Sequence, residues 1–369
     1  MQGGGALGAY HLGVYEALHR AGIEPDWVIG TSIGAINAAL IAGNVKTDRL
    51  ARLDDFWRRI EQVPAGSIGS AWPAAAAFAG SLSMPWAAVD PGLARYVGNL
   101  ATLARGIPNF FEPNPALLAG VQAPIGVESA SYYRTAPLRH TLAELLDTER
   151  IAAGPMRMTV GAVHVTSGAM RYFDSRTTAL TLDHVMASGA LPPAFGAVRI
   201  DGEPYWDGGL YSNTPIEAVL DDRPRRSSLI FDVNVWHPTG PEPESVWQVM
   251  NRQKDIQYAS RADSQLLRHK QIHRLRHVIR ELTQQLPPKQ REQAGVQALA
   301  AYGCATTMHV AHLLAPVQDG EDATKDIDFS AAGIAARRAA GLADAERMLQ
   351  RAPWDAQPDD PAAGVIEHF

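Results

Sequence analysis

The chain has 369 residues, of which 46% are hydrophobic and 20% are charged, and its formal net charge is -6. This length can bury a sizeable core in one large or two ordinary domains, and the acidic balance argues against a general nucleic-acid binder. There is no apolar run of roughly 18 residues, no visible secretory signal and one cysteine, so we expect a globular protein without a membrane span or disulfide framework, in the cytoplasm.

The chain begins with a glycine-rich loop, Gly3 to Gly8, which leads into a helical pattern that ends near Gly22. Such a loop presents backbone N–H groups and the positive end of a helix dipole to an anion. The spacing also matches the dinucleotide motif Gly-x-Gly-x-x-Gly, but that fold needs an acidic residue at the end of its second strand. Glu24 and Asp26 instead precede the next strand, which favours the oxyanion of an ester under cleavage.

The next segment is a strand that runs into a tight turn and a helix. The β-favouring residues 27–29 precede a Gly-x-Ser-x-Gly motif formed by Gly30, Ser32 and Gly34, and small helical residues follow to Gly43. This order is the context of a nucleophile elbow, in which the serine hydroxyl is exposed at the end of a strand. Taken alone, the motif also fits a strand-to-helix turn that happens to contain serine.

Beyond a helix at 47–60, the composition changes over residues 64–124 to Ala, Pro, Gly and large apolar side chains. We interpret this segment as a cap-like or lid-like insertion, either facing lipid or packed on the core as an ordinary helical cap. Regular elements then resume. They are a helix at 138–146, strands at 158–165 and 170–174, a helix at 181–188, a hairpin of 198–200 and 205–206 across Asp201-Gly202, and a buried strand at 228–235.

After residue 241 the sequence becomes mostly helical, and we place a domain boundary between 238 and 239. A long basic helix is predicted over 246–286, with His269, His273 and His277 in one stripe. No carboxylate or cysteine is interleaved with them, so we predict no metal site there. The basic face is interpreted as solvated or as attracted to anionic lipid. A strand at 308–314, a helix at 330–350 and a loose tail from residue 352 complete the chain.

Three signals occur in a fixed order: the glycine loop, the elbow at Ser32, and the sequence Asp207-Gly208-Gly209. Together with the Pro- and Phe-containing block at 188–195, they resemble the patatin-like phospholipase family over roughly residues 1–238. The resemblance implies a three-layer α/β/α domain with a mainly parallel central sheet. Residues 239–369 would form a mostly helical C-terminal extension.

The resemblance also implies the site. Ser32 would be the nucleophile and Asp207 its base, without a metal or organic cofactor. The glycines have two roles: oxyanion N–H donors (Gly3, Gly4, Gly5) and support of the two motifs (Gly30, Gly34, Gly208, Gly209). A free aspartate titrates near 4, so Asp207 would have to be partly desolvated and hydrogen-bonded to the serine, or mainly orient it. A Ser-His-Asp triad is the rival mechanism, and it would use a later histidine such as His237.

Two departures from the family pattern concern the oxyanion loop. The resemblance implies a buried strand before the loop, whereas only Met1 and Gln2 precede Gly3 here. Without that strand we expect the loop backbone to be poorly held, which would disturb oxyanion geometry first. Family members also carry a basic residue where this chain has Leu7, so backbone donors would have to act alone.

These observations predict a serine acyl hydrolase that cleaves carboxylic esters of lipids, such as a phospholipase A or a lysophospholipase, through an acyl-Ser32 intermediate. Transfer of the acyl group to an alcohol would use the same intermediate. The partners expected are a lipid or acyl-ester substrate and a membrane surface, but no nucleic acid; oligomeric state is not indicated. The alternatives are a catalytically silent membrane-associated or scaffolding protein and a dinucleotide-binding protein.

Overall fold

The computed structural model describes residues 1–62, 99, 102–356 and 364–369, without the side chains of residues 260–265. Its main helices are α1 Ala9–Arg20, α2 Ile33–Ala42, α3 Arg49–Arg59, α4 Ala136–Leu145, α5 Thr148–Ala153, α6 Leu182–Ser188, α7 Glu217–Leu220, α8 Val246–Gln285, α9 Pro288–Arg291, α10 Ala294–Ala300 and α11 Ala331–Arg351. Its strands are β1 Trp27–Gly30, β2 Glu112–Pro113, β3 Tyr133–Arg134, β4 Arg157–His164, β5 Met170–Asp174, β6 Val198–Ile200, β7 Glu203–Asp207, β8 Ser228–Asn234, β9 Met308–Leu314 and β10 Val365–His368. The predicted α/β class is confirmed.

The sheet that carries the elbow is mixed, which corrects the expectation of a mainly parallel sheet. Its strand order is β1-β4-β7-β6, with β5 also paired to β4. Only β1 and β4 run parallel; β4–β5, β4–β7 and β6–β7 are antiparallel. Two of these three antiparallel pairs, β4–β5 and β6–β7, follow from tight connections at Gly168 and at Asp201-Gly202, because short turns reverse the chain direction. Asp201 and Gly202 both adopt positive φ, as a two-residue hairpin turn requires.

A second sheet, of order β10-β9-β8, is entirely parallel and crosses the predicted domain boundary. Residues 308–314 form β9 over the predicted range, between β8 and the C-terminal β10. Two of its three strands therefore lie beyond residue 238, and the extension is not only helical. The tail was expected to be loose, but Val365–His368 pairs in register with Met308–Ala311. Strand pairing, which depends on distant residues, decides this part of the fold.

The last helix, α11, packs closely on the first, α1. A Cβ at Gly13 would collide with the backbone of Arg338, and one at Gly341 would collide with the Tyr10 carbonyl oxygen. The two glycines let the helix backbones approach each other more closely than larger side chains would permit. Residues on both sides of 238/239 thus share one core, and the predicted boundary does not separate two packing units.

The two sheets approach each other where the chain begins. The Met1 amino group donates to the Ile29 carbonyl at 2.9 Å, and the Thr31 N–H donates to the Met1 carbonyl at 3.3 Å, which is the pattern of a parallel strand pair. On the other side, the Gln2 N–H donates to the Val233 carbonyl at 3.0 Å. Met1 and Gln2 therefore occupy the carboxyl end of a strand position between β1 and β8.

The rest of that strand position is a cavity of about 840 Å³. Its lining includes residues of β1, of β8 and of α1. Burial lowers the pKa of the Met1 ammonium to about 6, although Asp232 acts in the opposite direction.

The long helix α8 buries its histidine stripe. His269, His273 and His277 are buried, and hydrogen bonds join His273 Nε2 to the Leu220 carbonyl and His277 Nε2 to the Thr306 carbonyl. This face is therefore a packing surface and not part of a solvated basic face. Within the described ranges, no helix combines the length and the apolar character needed to cross a bilayer.

Most of the predicted lid-like insertion at 64–124 lies outside the described residues. Its described part includes Phe110 and Phe111, which are both buried. Their rings make edge and tilted contacts with Phe195 at centroid distances of 6.3 and 5.6 Å. These two aromatic residues belong to the core and are not exposed to lipid.

A charged cluster connects all three strands of the parallel sheet. His312 on β9 lies 3.1 Å from Asp232 on β8 and 3.4 Å from Glu367 on β10. Burial alone would lower the pKa of His312, but the two carboxylates outweigh it and raise that pKa to about 9. The hydrogen bond to His312 is the main cause that lowers the pKa of Glu367 to about 2.

This cluster predicts a pH-dependent contribution to stability. Because the folded pKa of His312 exceeds its unfolded value, its contribution is complete below about pH 6.5 and is lost as pH rises through about 9. We expect His312→Gln to lower the free energy of unfolding at pH 6 and to have a much smaller effect at pH 10, as measured by urea denaturation.

The matched control is His140→Gln, because His140 is 80% exposed and its pairing with Glu144 is solvent-screened. It should change the free energy of unfolding little at either pH. An effect of His312→Gln that is equal at both pH values would contradict the proposed charge contribution.

Candidate active site

Ser32 lies on a strained turn between β1 and α2. Its backbone has φ 56° and ψ −126°, a region that non-glycine residues rarely adopt. A Cβ at Gly30 would collide with the Gly34 carbonyl oxygen, and one at Gly34 would collide with the Met1 carbonyl oxygen. Both motif glycines are therefore required by close backbone contacts, and the turn has the strand–turn–helix geometry of a nucleophile elbow.

Ser188, at the end of α6, holds the strained turn in place. The Ser32 N–H donates to both the carbonyl oxygen and Oγ of Ser188, at 3.1 and 3.2 Å. Ser188 Oγ in turn donates to the Gly161 carbonyl of β4 at 2.7 Å. The side chain is fully buried, so these bonds are shielded from water. The sequence had marked Ser188 only as part of a small-residue block, without a role.

Asp207 reaches the elbow because β1 and β7 lie on the same side of β4. Strand β5 pairs with the β4 residues that also pair with β1 and β7, so both of these strands must lie on the opposite edge from β5. Along that edge, Gly30 is opposite Val160 and Asp207 is opposite Ala162. Two residues of a strand span about 7 Å, so the end of β7 meets the end of β1.

The Asp207 carboxyl is 1% exposed and accepts a hydrogen bond from the Gly209 N–H at 2.7 Å through Oδ1. Burial raises its pKa to about 7, while the Gly209 N–H and the Ser32 hydroxyl act to lower it. Oδ2 is buried and accepts no hydrogen bond from the residues that the structure describes. The Ser32 hydroxyl thus lowers the pKa of this carboxyl, but burial outweighs it, so the carboxyl can take up a proton near neutral pH.

The motif glycines that follow Asp207 also fit tightly. A Cβ at Gly208 would lie 2.5 Å from the Gly161 carbonyl oxygen and 3.1 Å from Thr31 Cγ2. Gly208 therefore lets the Asp207 turn contact the elbow directly, while Gly209 supplies the N–H that binds the carboxyl.

Gly3 packs against the nucleophile, but its own N–H is already used. A Cβ at Gly3 would lie 2.9 Å from Ser32 Cβ, and its N–H donates to the Asn213 carbonyl at 3.2 Å. Its carbonyl accepts from Trp236 Nε1 at 2.7 Å and from Asn213 Nδ2 at 3.0 Å. The expectation that Gly3 donates to an oxyanion therefore needs correction, because its N–H binds within the protein.

Gly4 and Gly5 have N–H groups that donate to none of the described residues. Gly5 has φ 54°, and a Cβ there would collide with the Asp326 carbonyl oxygen, so glycine is required on both counts. Leu7 is buried against Tyr10, which explains an apolar residue at that position of the loop. The loop that contacts Ser32 at Gly3 therefore carries two backbone N–H groups, those of Gly4 and Gly5, without an acceptor among the described residues.

Gln2 anchors the loop to the parallel sheet, a role that the sequence did not indicate. Its Oε1 accepts from the N–H groups of Val235 and Trp236 at 2.6 and 3.0 Å, and its Nε2 donates to Thr214 Oγ1 at 2.8 Å. The expectation of a poorly held loop is therefore wrong at its first residues, since side chains replace part of the missing strand. Only the tertiary contacts reveal this, because Gln2 resembles any polar residue before a loop.

Histidines that lie within residues 1–238 have partners other than Ser32 and Asp207. His184 Nδ1 bonds to Thr181 at the start of α6, and His11 Nδ1 bonds to Asn37. No hydrogen bond or ion pair among the described residues joins His237 to Ser32 or Asp207. The structure thus places Ser32 and Asp207 at adjoining strand ends, and no described histidine makes a hydrogen bond to either of them.

Two family models match the chain. One, described as patatin-like phospholipase, matches residues 1–220, which include the elbow, Asp207 and the glycine loop. The other, described as patatin phospholipase, matches residues 256–361, beyond the predicted boundary. Together they cover both parts of the common core.

Individual relatives are more distant. Lysophospholipase nte1 of Aspergillus terreus is 44% identical over 70 residues, which are 19% of this chain and only 4% of that protein. The crystal structure of VipD from Legionella pneumophila aligns with 100% of this chain and 70% of its own, at 16% identity and a TM-score of 0.37, too low to support an argument. The family match, in contrast, spans most of the chain, and the protein belongs to the patatin-like phospholipase family of ester hydrolases.

Proposed function

We propose that the protein is a lipid acyl hydrolase that works through a Ser32–Asp207 dyad. The observation that supports this best is the convergence of two strand ends at one edge of β4. It brings a strained serine next to a buried carboxyl with a pKa of about 7. A base of this pKa accepts a proton at neutral pH far more readily than a free aspartate does.

The proposed reaction has two half-reactions. Ser32 Oγ attacks the carbonyl carbon of the ester as its proton passes to Asp207, and the resulting tetrahedral intermediate expels the alcohol, which takes that proton. Water then attacks the acyl-Ser32 ester, again giving a proton to Asp207. Collapse of the second intermediate returns the proton to Ser32 and releases the fatty acid. An alcohol in place of water would give acyl transfer.

Gly4 and Gly5 are the proposed oxyanion donors. Their N–H groups lie in the loop that packs on Ser32 and bind no other described group. Donors that are already oriented stabilise the developing negative charge without reorganisation during the reaction. Gly3 contributes by letting the loop approach Ser32, and its carbonyl bonds hold the loop in place.

The proposed substrate is a carboxylic ester of a lipid, with a phospholipid or a lysophospholipid as the first compounds to test. The family description names phospholipases, and the Aspergillus relative is named a lysophospholipase, although only a small part of it is matched. Release of fatty acid from phosphatidylcholine vesicles and from lysophosphatidylcholine micelles would distinguish these two substrate classes.

A fluorophosphonate probe tests the nucleophile, because it phosphonylates activated serines. We expect the wild-type protein to be labelled on the peptide that contains Ser32, as identified by mass spectrometry, and Ser32→Ala to remain unlabelled. Heat-unfolded wild type is the control for non-specific reaction, and it should not react.

Labelling of Ser32→Ala at the wild-type rate would contradict the proposal. A wild type that binds anionic vesicles but shows neither labelling nor ester hydrolysis would instead support the alternative of a silent membrane-associated protein. The exposed arginines of α8 motivate that alternative, and vesicle binding should then be equal in Ser32→Ala.

A further inference from the structure

The orientation of the Gly4 donor is determined by the carbonyl group of Gly3. The two groups belong to the same peptide unit, which is planar and trans, so the N–H of Gly4 points opposite to the C=O of Gly3. That carbonyl accepts one hydrogen bond from Trp236 Nε1 and another from Asn213 Nδ2. Any group that fixes the carbonyl therefore also fixes the donor.

Trp236 is well suited to fix the Gly3 carbonyl because its indole is buried. It lies two positions after the end of β8, is 2% exposed, and its backbone N–H donates to Gln2 Oε1. Its bond to the Gly3 carbonyl, 2.7 Å long, is the shorter of the two. The indole N–H is a donor only, so it can bind the Gly3 carbonyl but cannot accept a hydrogen bond from the Gly4 N–H.

The indole is held by residues from the C-terminal part of the chain. The Tyr258 ring of α8 lies 4.9 Å from it, centroid to centroid, at an interplanar angle of 33°. On the indole ring, Lys325 Nζ lies 5.2 Å from the centroid, within the range of a cation–π contact. Lys325 is itself fixed by a buried ion pair of 2.8 Å with Asp255.

We propose that Trp236 is a positioning residue for the oxyanion loop, and that the C-terminal segment acts on the active site through it. Tyr258, Lys325 and Asp255 hold the indole, the indole holds the Gly3 carbonyl, and the carbonyl directs the Gly4 N–H toward the developing oxyanion. This inference rests on the proposed hydrolase function. It assigns residues 255–325 a role in catalysis that their mostly helical sequence does not suggest.

Gly5 provides a second contact between the glycine loop and the C-terminal part of the chain. Its Cα faces the Asp326 carbonyl oxygen so closely that a Cβ would collide with it. The Asp326 side chain bonds to Lys254 Nζ on α8 at 2.7 Å. The segment around residues 325–326 therefore touches the loop at Gly5 and supports Trp236 at Gly3, so both ends of the proposed donor pair depend on it.

The decisive variant is Trp236→Phe, which keeps an aromatic ring but removes the N–H donor. Without it the Gly3 carbonyl keeps only Asn213, and the peptide samples orientations in which the Gly4 N–H is misdirected. We expect kcat for ester hydrolysis to fall about 10- to 100-fold. This is at most the decrease seen when one oxyanion donor is removed entirely, which is about 10²- to 10³-fold. KM should stay within about twofold, because the donor acts in the transition state and not on the bound ester.

The matched control is Trp27→Phe. Trp27 Nε1 also donates a hydrogen bond, to Thr159 Oγ1 at 2.9 Å, but it lies at the opposite end of β1 from the elbow. Both variants should lose a similar amount of thermal stability, whereas only Trp236→Phe should lower kcat and the rate of Ser32 labelling by the fluorophosphonate. Tyr258→Leu, which removes the ring that packs on the indole, should lower kcat in the same direction by a smaller factor.

The outcomes separate this inference from the proposed function. If the wild type hydrolyses the ester and Trp236→Phe has the same kcat and labelling rate, or loses both only in proportion to unfolding, the positioning role is wrong and the hydrolase remains. If the wild type is neither labelled nor active, both proposals are wrong. A selective loss of kcat in Trp236→Phe and Tyr258→Leu, with Trp27→Phe unaffected, supports the role of the C-terminal segment.

Discussion

Asp207→Asn is expected to lower kcat for ester hydrolysis about 10³- to 10⁴-fold, the loss typical of the acidic member of a serine catalytic group. An amide of the same shape can still accept the Gly209 N–H bond, so the turn should keep its geometry. It cannot take the Ser32 proton, however, and attack on the ester would then start from a neutral hydroxyl without a base. Fatty-acid release under saturating substrate, with stability monitored in parallel, measures this effect.

The pH dependence of the wild type should identify the same group. Because Asp207 acts as a base in its ionised form and has a pKa of about 7, kcat/KM should be low in acid, rise through about pH 7 and then level off. Asp207→Asn should lack this rise in its residual activity. His237→Gln should retain both the activity and the profile; loss of activity in that variant would favour a Ser-His-Asp triad.

Stability should change in the opposite direction to activity. The folded pKa of Asp207 lies above its unfolded value, so the folded state binds more protons and loses stability as pH rises from about 4 to about 7. At pH 8 the wild type holds an ionised, buried carboxylate whose desolvation cost is only partly offset by its hydrogen bonds. Asp207→Asn carries a neutral amide at this position and avoids that cost. We expect a higher Tm for the variant at pH 8 and a much smaller difference at pH 4.

An apolar pentapeptide joined to the amino group of Met1 should increase the free energy of unfolding by about 3 kcal/mol, as buried side chains outweigh the cost of ordering the chain. It would enter the cavity of about 840 Å³ between β1 and β8, parallel to both. The strand edges at Trp27–Ile29 and Ser228–Phe231 would gain partners, and a neutral peptide N–H would replace the buried Met1 ammonium. Urea denaturation of the extended and unextended proteins measures the gain.

The control is an extension of equal length whose second and fourth residues are proline. Proline cannot donate to a strand ladder and is not tolerated in a central strand, so this extension should give no gain. Equal stabilisation by both extensions would mean that the peptide binds elsewhere. No stabilisation by the apolar one would mean that the space is not a strand position.

Much of the local structure was predictable from the sequence. Residues 308–314 form the predicted strand, and Asp201-Gly202 forms the predicted hairpin turn with both residues at positive φ. The elbow at Ser32 was predicted from glycine spacing, since only glycine fits the contacts made by Gly30 and Gly34. These features depend on residues close in the chain, where periodicity and turn chemistry carry the information.

Strand pairing and domain organisation were not predictable in the same way. A run of apolar residues indicates a strand but not its neighbours, so the mixed sheet around β4 and the inclusion of β10 required the folded structure. The boundary at 238/239 followed a change of composition, whereas α1 and α11 share a core because Gly13 and Gly341 allow their backbones to meet.

The sequence by itself determined the type of protein: a glycine loop, a serine elbow and an Asp-Gly-Gly turn in one order. Only the tertiary structure decided how these parts act together. It showed that the Gly3 N–H is engaged by Asn213, that burial raises the Asp207 pKa to about 7, and that Trp236 holds the loop. The physical reason is that motifs require local backbone geometry, whereas the partners that hold Gly3 and Ser32, namely Asn213, Trp236 and Ser188, lie more than 150 positions away in the chain.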